Sequence, residues 1–323
     1  MISVTPSPVA LQLGPIAIPW YGLGYAAAIA LAVWLTQREA RHRGLDPRMV
    51  GDGIFFVVIL GLIGARLYHV IDQWSFYSQD PLRIVLPPYS GLGLYGGVLG
   101  GLLALLIFTR RRGMPLLPWA DAAVPALLLG QAIARWGNFF NQELYGPPTT
   151  LPWAISIECQ YRVAAYLCPG DPRLPAGATG LPFETTGFHP LFLYESMASL
   201  VGGLLALWLG HRFAGRLRDG DLVAFWFIWY GAVRTALEPL REGYNWTFFG
   251  VPVAILIGVA AVIGGLLFLA WRHSRPGPSA AEAARERRQA AEQATTEAAT
   301  EDAIPPDRPP PGTHEEHPAD SVT

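Results

Sequence analysis

The stretch Ala134–Gly146, ARWGNFFNQELYG, places one arginine, two asparagines and a glutamate at the end of an apolar run. Arg135 and Asn138 are three residues apart and share a helix face; Asn141, Glu143 and Gly146 follow as the chain approaches Pro147-Pro148, where a helix must stop. A helix end snorkelling into lipid headgroups accounts for one arginine but not for two asparagines and a glutamate. A second polar set lies in FWFIWYGAVRTALEPLR, where Tyr230, Arg234 and Glu238 recur every four residues and stack on one face. Its structural reading is a self-satisfied Arg-Glu pair beside an interfacial tyrosine. Its functional reading is a polar seam facing an internal cavity, favoured because charged groups inside a span are costly. A guanidinium is a planar fork of donors that matches phosphate. Arg135 and Arg234, on different spans, can clamp a phosphodiester, with Glu143 and Glu238 holding the arginines or taking hydroxyl groups.

Other residues are less specific. Tyr21 opens an apolar run in IPWYGLGY and alone reads as part of an aromatic belt. Tyr95 sits among glycines in GLGLYGGVLGG, and the glycines themselves read as close helix packing. GARLYHV buries Arg66, and FHPLFLYES carries His189, Tyr194 and Glu195. A charge balance between Arg66 and Glu195 is one option, and a purely structural role for each is the other.

These residues need elements to hold them. Of 323 residues, 51% are hydrophobic and only 15% charged; soluble domains carry about 25% charged residues. An all-α polytopic membrane protein is the implied class. Seven runs are apolar enough to expect spans, near 17–36, 51–70, 92–109, 118–135, 190–210, 222–238 and 251–271. All 23 basic residues are arginine, and they are unevenly placed. The loops 37–50, 110–117, 211–221 and 272–275 hold 12 of them, against 4 in 1–16, 71–91, 136–189 and 239–250. The positive-inside rule makes the first set cytoplasmic, with the N-terminus outside and the C-terminus inside. The start MISVTPSP lacks a positive n-region, so no cleavable signal peptide is expected.

The outer segment 147–189 is too long for an idle connection. It contains Cys159 and Cys168, either a disulfide or two unpaired thiols. The chain divides into a membrane domain, 1–274, and an Ala/Glu/Arg/Pro-rich tail, 275–323. The tail is expected to be disordered and cytoplasmic, with an exposed helix as an option for its first part. No basic tract points to nucleic acid, and no metal-type spacing or cofactor motif is evident.

Together the motifs resemble the prolipoprotein diacylglyceryl transferases of bacterial inner membranes. The family's IxWYG is similar to Ile18-Pro19-Trp20-Tyr21-Gly22, and its GxR to Gly64 and Arg66. Its R-x-G-N-F-x-N-x-E-x-x-G signature is matched by Arg135, Gly137, Asn138, Phe139, Asn141, Glu143 and Gly146. His189, Pro190, Tyr194 and Glu195 match HP-x-x-x-YE; Tyr230, Gly231, Arg234 and Glu238 match Y-G-x-x-R-x-x-x-E. The resemblance covers about 15–271. One position departs: Tyr95 stands where many members have the histidine of HGG.

The resemblance implies transfer of diacylglyceryl from phosphatidylglycerol to the lipobox cysteine of a prolipoprotein signal peptide, in the bacterial cell membrane, without a cofactor or metal. It implies Arg135, Arg234, Glu143, Glu238, Asn138 and Tyr95 as catalytic candidates. Substrate-binding candidates are Arg135 again, Asn141, Tyr21, Tyr230, Gly146 and His189. The rival readings are a polytopic transporter using the same charges as a path, an intramembrane hydrolase, and a paralogue of reduced activity that binds lipid and signal peptide. Transport lacks paired broken helices, and hydrolysis lacks a nucleophile with an adjacent base.

Overall fold

The computed structural model describes residues 2, 6–14, 16–85, 94–242 and 247–303. A hairpin of β1 (Val9–Leu13) and β2 (Ile16–Pro19) leads into α1 (Trp20–His42). Then come α2 (Arg48–Asp72), the single turn α3 (Trp74–Tyr77) and α4 (Leu94–Arg111). α5 (Leu116–Ala134) is followed by α6 (Trp136–Phe140). α7 (Leu191–Arg212) and α8 (Asp221–Leu237) follow the long loop. A second short hairpin, β3 (Thr247–Phe248) with β4 (Val251–Pro252), precedes α9 (Val253–His273) and α10 (Ala280–Ala303).

Each of the seven apolar runs falls mostly on a helix, though 17–19 belong to β2, 251–252 to β4, and 92–93 lie outside the described residues. Among the described residues, four helices are long and apolar enough to cross a membrane: Arg48–Asp72, Leu116–Phe140, Leu191–Arg212 and Val253–His273. α8 has 17 residues and carries Asp221 and Arg234, so it falls short on its own. α5 is the central helix, packed against α1, α7 and α8. α2 and α9 are peripheral and expose large side chains such as Phe55, Ile71 and Leu267. An apolar face left open on this scale calls for an apolar surrounding.

The glycines of the α2–α4 contact act as the packing reading expects. A Cβ on Gly96 would collide with the carbonyl oxygen of Gly64 and with Tyr68, so the two backbones touch directly. Arg66 reaches the carbonyls of Arg83 (2.7 Å) and Ile84 (3.1 Å) and lies over the Tyr77 ring.

One end of the bundle is tied by charge. Asp121, near the start of α5, accepts the N–H groups of Gly220 (2.8 Å) and Val223 (2.9 Å) and pairs with Arg43 (3.4 Å). Asp221 accepts from His273 at 2.8 Å, and Arg218 donates to the Arg272 carbonyl at 2.7 Å. Here the last turns of α1, α7 and α9 meet the first turns of α5 and α8. This end carries the arginine-rich loops.

Of the two options for the first part of the tail, disorder or an exposed helix, the helix forms: 280–303 make α10, whose first turns dock on the same end. Arg287 pairs with Asp219 at 2.8 Å and donates to the Arg43 carbonyl at 2.9 Å; Arg288 donates to the His42 carbonyl at 2.8 Å. Arginines that cap the free carbonyls of α1 give this alanine-rich helix an anchor that its composition does not advertise. The rest of the expected disordered tail, 304–323, lies outside the described residues.

At the opposite end, 141–190 folds as a cap. Tyr145, Ile155, Ile157, Phe188 and Phe192 make its core. Arg162 is buried under that core, donating to the carbonyls of Ile157 (2.9 Å) and Leu181 (2.8 Å), with the Phe188 ring 5.0 Å away. Cys159 and Cys168 form a disulfide, which decides between the two alternatives.

Candidate functional site

The site forms where α5 breaks. Arg135 caps the end of α5 and the start of α6, so it sits at a helix junction. Its Nε lies 2.7 Å from Glu195 on α7, and a terminal nitrogen lies 3.5 Å from the Asn138 Oδ1. Asn138 is almost fully buried and donates from Nδ2 to the Tyr21 hydroxyl and to Glu143, both at 2.9 Å. Tyr21 fits because residue 137 is glycine: a Cβ there would stand 2.9–3.0 Å from three atoms of the Tyr21 ring.

The turn after α6 is held in an unusual shape. Gln142 and Leu144 have φ of 52° and 54°, the left-handed region that non-glycine residues rarely adopt. Glu143 is thereby turned back, its N–H donating to the Asn138 carbonyl at 3.0 Å. Gln142, buried, accepts the Glu158 N–H at 2.8 Å and locks the turn to the cap. Strained backbone persists only where its surroundings over-determine it.

From α8, Arg234 meets Glu238 at 2.7 Å, and Tyr230 stacks on Trp226. Arg135, Glu195, Tyr230 and Arg234 line one narrow hollow with Gln131 and Ser199. A third arginine joins them. Arg241 lies 3.5 Å from Glu195. Burial lowers its pKa first, and the neighbouring Arg234 and Arg135 lower it further, while Glu195 and Glu238 oppose this. Three guanidiniums thus share two buried carboxylates. Arg135 Nε and Arg234 Nη1 are taken up by the ion pairs with Glu195 and Glu238. Three guanidiniums against these two carboxylates leave an excess of positive charge, which favours an anion as ligand.

A larger apolar groove of about 520 Å³ opens beside this hollow, lined by Trp20, Leu31, Leu129, Trp136, Phe140 and Leu200 among others. Gly137 and Ser196 also border it. An anion site next to an apolar groove suits an amphiphile.

Several expected residues sit elsewhere. His189 bonds the Tyr194 hydroxyl (3.1 Å), which also accepts from Trp153 (2.9 Å). Gly146 is needed for packing: a Cβ would meet the Leu240 carbonyl at 2.8 Å and the His189 side chain at 2.9 Å. Asn141 caps α6 through its N–H, and its side chain makes no hydrogen bond among the described residues. Tyr95 lies in the first turn of α4, and its side chain falls outside the described residues. The suggested Arg66–Glu195 balance does not form; Glu195 is engaged by Arg135 and Arg241.

Two site residues escaped the sequence reading. Arg241 was counted only as a loop charge, because nothing in LEPLREG shows that the turn Glu238–Leu240 folds it back over Glu195. Gln142 lay inside the signature, but only its φ and its contact with Glu158 mark it as the latch. One cluster of ligating side chains lies outside the residues that the sequence singles out. Glu39, His42 and His211 bring ligand atoms within 4.8 Å of one another at the arginine-rich end. His211 is 169 residues from His42 in sequence, so spacing alone could not reveal the group.

Residues 8–271 match the family model described as prolipoprotein diacylglyceryl transferase. The chain belongs to the prolipoprotein diacylglyceryl transferase family. Its relatives include the phosphatidylglycerol–prolipoprotein diacylglyceryl transferase of Symbiobacterium thermophilum, 40% identical over 84% of this chain and 95% of that protein. The proteins of the same name from Synechococcus elongatus and Lactococcus lactis are 37% and 36% identical. They match over 83% of this chain and 88% and 95% of their own lengths. The family match covers α1 to nearly the end of α9 and leaves out α10.

Proposed function

We propose that this chain transfers the diacylglyceryl group of phosphatidylglycerol to the lipobox cysteine thiol of a prolipoprotein. The convergence of Arg135, Arg234 and Arg241 on two buried carboxylates, beside an apolar groove, carries this reading. The groove would take acyl chain and the arginines the phosphodiester. Substrate sulfur attacks the CH2 carbon of the diacylglyceryl group that bears the phosphate oxygen. A C–S bond forms and the C–O bond breaks, with its electron pair passing to the phosphate oxygen, so that glycerol phosphate leaves. The leaving group gains a negative charge that the guanidiniums are already placed to receive. The thiol proton goes to water or to the departing phosphate. Positive charge near the thiol also lowers its pKa from about 8.5, which reduces the need for a dedicated base. Both cysteines of the chain are bridged, so the nucleophile is the substrate's own.

In this reading Arg135 and Arg234 bind and stabilise phosphate, and Arg241 adds to the field. Glu143 and Glu238 hold polar groups or the free glycerol hydroxyls. Asn138 and Tyr21 hold Arg135 and the lipid, while Asn141 and Tyr230 contact the headgroup. Tyr95 acts as a hydrogen-bond donor. With seven spans and the N-terminus outside, this end would lie at the outer leaflet. The disulfide Cys159–Cys168 supports that side, because bridges persist in oxidising compartments.

The test is to incubate the purified protein with phosphatidylglycerol and a lipobox peptide and to weigh the peptide. A diacylglyceryl increment on cysteine, lost in Arg135→Ala, is expected. No increment from folded protein that still binds the lipid would sink the reading in favour of an inactive relative.

A further inference from the structure

At the arginine-rich end, the last turns of α1 and α7 bring three ligating side chains together. Glu39 and His42 are one helical turn apart on α1, and His211 is in the last turn of α7. The His211 Nε2 lies 3.1 and 3.0 Å from the two Glu39 oxygens. The His42 and His211 rings are 4.8 Å apart between centroids. Glu39 is buried to 2% exposure, whereas both imidazoles reach solvent. The trio is remote from the proposed transfer site: Tyr21 and Glu39 are separated by about 27 Å of helix rise.

We propose that Glu39, His42 and His211 form a binding site for a zinc-class divalent cation that staples α1 to α7. Two imidazoles and one carboxylate are a common zinc donor set, with water in the fourth position. Tetrahedral coordination at bond lengths near 2.1 Å puts ligand atoms about 3.4 Å apart. Glu39 and His211 are already close to that spacing, and rotation of the exposed His42 ring closes the rest. Both helices end here, so their carbonyl-rich termini favour a cation. Three neighbouring arginines are engaged away from the site. Arg43 pairs with Asp121, Arg38 lies over Trp34, and Arg212 lies over Phe213. Glu39 is buried and, among the described residues, faces only the His211 imidazole, so a cation bound here would be stabilised.

The site also bears on α10. Arg288 donates to the carbonyls of Arg41 and His42, and Arg287 to that of Arg43. The turn that presents His42 to the ion is therefore the turn that seats α10.

The experiment titrates zinc chloride into the detergent-solubilised full chain after chelator treatment. Bound zinc is counted by equilibrium dialysis with atomic emission, and Tm is followed in parallel. About one zinc per chain and a higher Tm are expected at the trio. His42→Asn and His211→Asn should each weaken binding by about tenfold or more. His314 and His317 in the tail remain in every variant and control for binding there. His42 is exposed and makes no side-chain hydrogen bond among the described residues, so His42→Asn folds normally and decides the matter even if His211→Asn lowers the metal-free Tm. A parent chain that binds no zinc, or a His42→Asn chain that binds it as the parent does, overturns the proposal.

Discussion

Arg135→Lys separates charge from geometry at the proposed phosphate site. In the parent, Nε faces Glu195 at 2.7 Å and one terminal nitrogen faces Asn138 at 3.5 Å. The other terminal nitrogen has no protein partner among the described residues and is left for the ligand. A lysine keeps the charge opposite Glu195 but has a single nitrogen, which cannot hold Glu195, Asn138 and a phosphate oxygen together. The variant should lose at least one charge-assisted hydrogen bond, about 1.5–3 kcal/mol. At about 1.4 kcal/mol per tenfold, kcat/KM should drop by about 10- to 150-fold. If the lost contact forms only as the phosphate departs, the drop falls on kcat. Stability should change little, because no buried carboxylate is left without a cation; Arg135→Ala, by contrast, strips Glu195 of its nearer partner. The assay follows lipidated peptide by mass spectrometry at several phosphatidylglycerol concentrations, beside a thermal melt. An Arg135→Lys enzyme within threefold of the parent in kcat/KM would refute the fork argument.

Gly137→Ala puts a methyl group against the Tyr21 ring, an overpacking that should cost about 1–3 kcal/mol and slow transfer by moving Tyr21 off Asn138; a melt and the peptide assay check both. Cys159→Ser opens a bridge across nine residues and should cost the cap about 2.5–3 kcal/mol, seen as faster proteolysis of 147–189, with the parent matching it only under reducing conditions. Asp171 is held down to a pKa of about 2, first by the Arg173 side chain and then by its backbone N–H. Its folded value lies below the unfolded one, so its contribution is present above about pH 4 and is lost as pH falls through about 2. Hydrogen exchange in 159–173 should rise over that window, and Arg173→Ala should abolish the rise. Tyr95→His should retain transfer if that position only donates a hydrogen bond; a large loss in the peptide assay would assign the phenol a specific task.

The apolar runs alone marked where the long apolar helices lie, because a segment that must satisfy its backbone without water has few options besides helix. Spacing put Arg135 with Asn138 and Arg234 with Glu238, since residues three and four apart on a helix are neighbours whatever surrounds them. The uneven arginines already separated one end of the bundle from the other, and at that end Arg43 pairs with Asp121 and Arg287 of α10 with Asp219. Contacts between distant segments were not legible. The placement of Glu195 between Arg135 and Arg241 depends on how α7 packs against α5 and on a turn after Pro239. Tyr21 meets Asn138 across 117 residues because Gly137 makes room for a ring, and a glycine in a sequence does not say what approaches it. The docking of α10 was hidden for a related reason: besides Asp219, its anchors are backbone carbonyls at the end of α1, which carry no residue signature. What the sequence determined is periodic and local. What tertiary structure decided is which charges face one another, because that depends on the packing of helices whose apolar faces are nearly interchangeable in sequence.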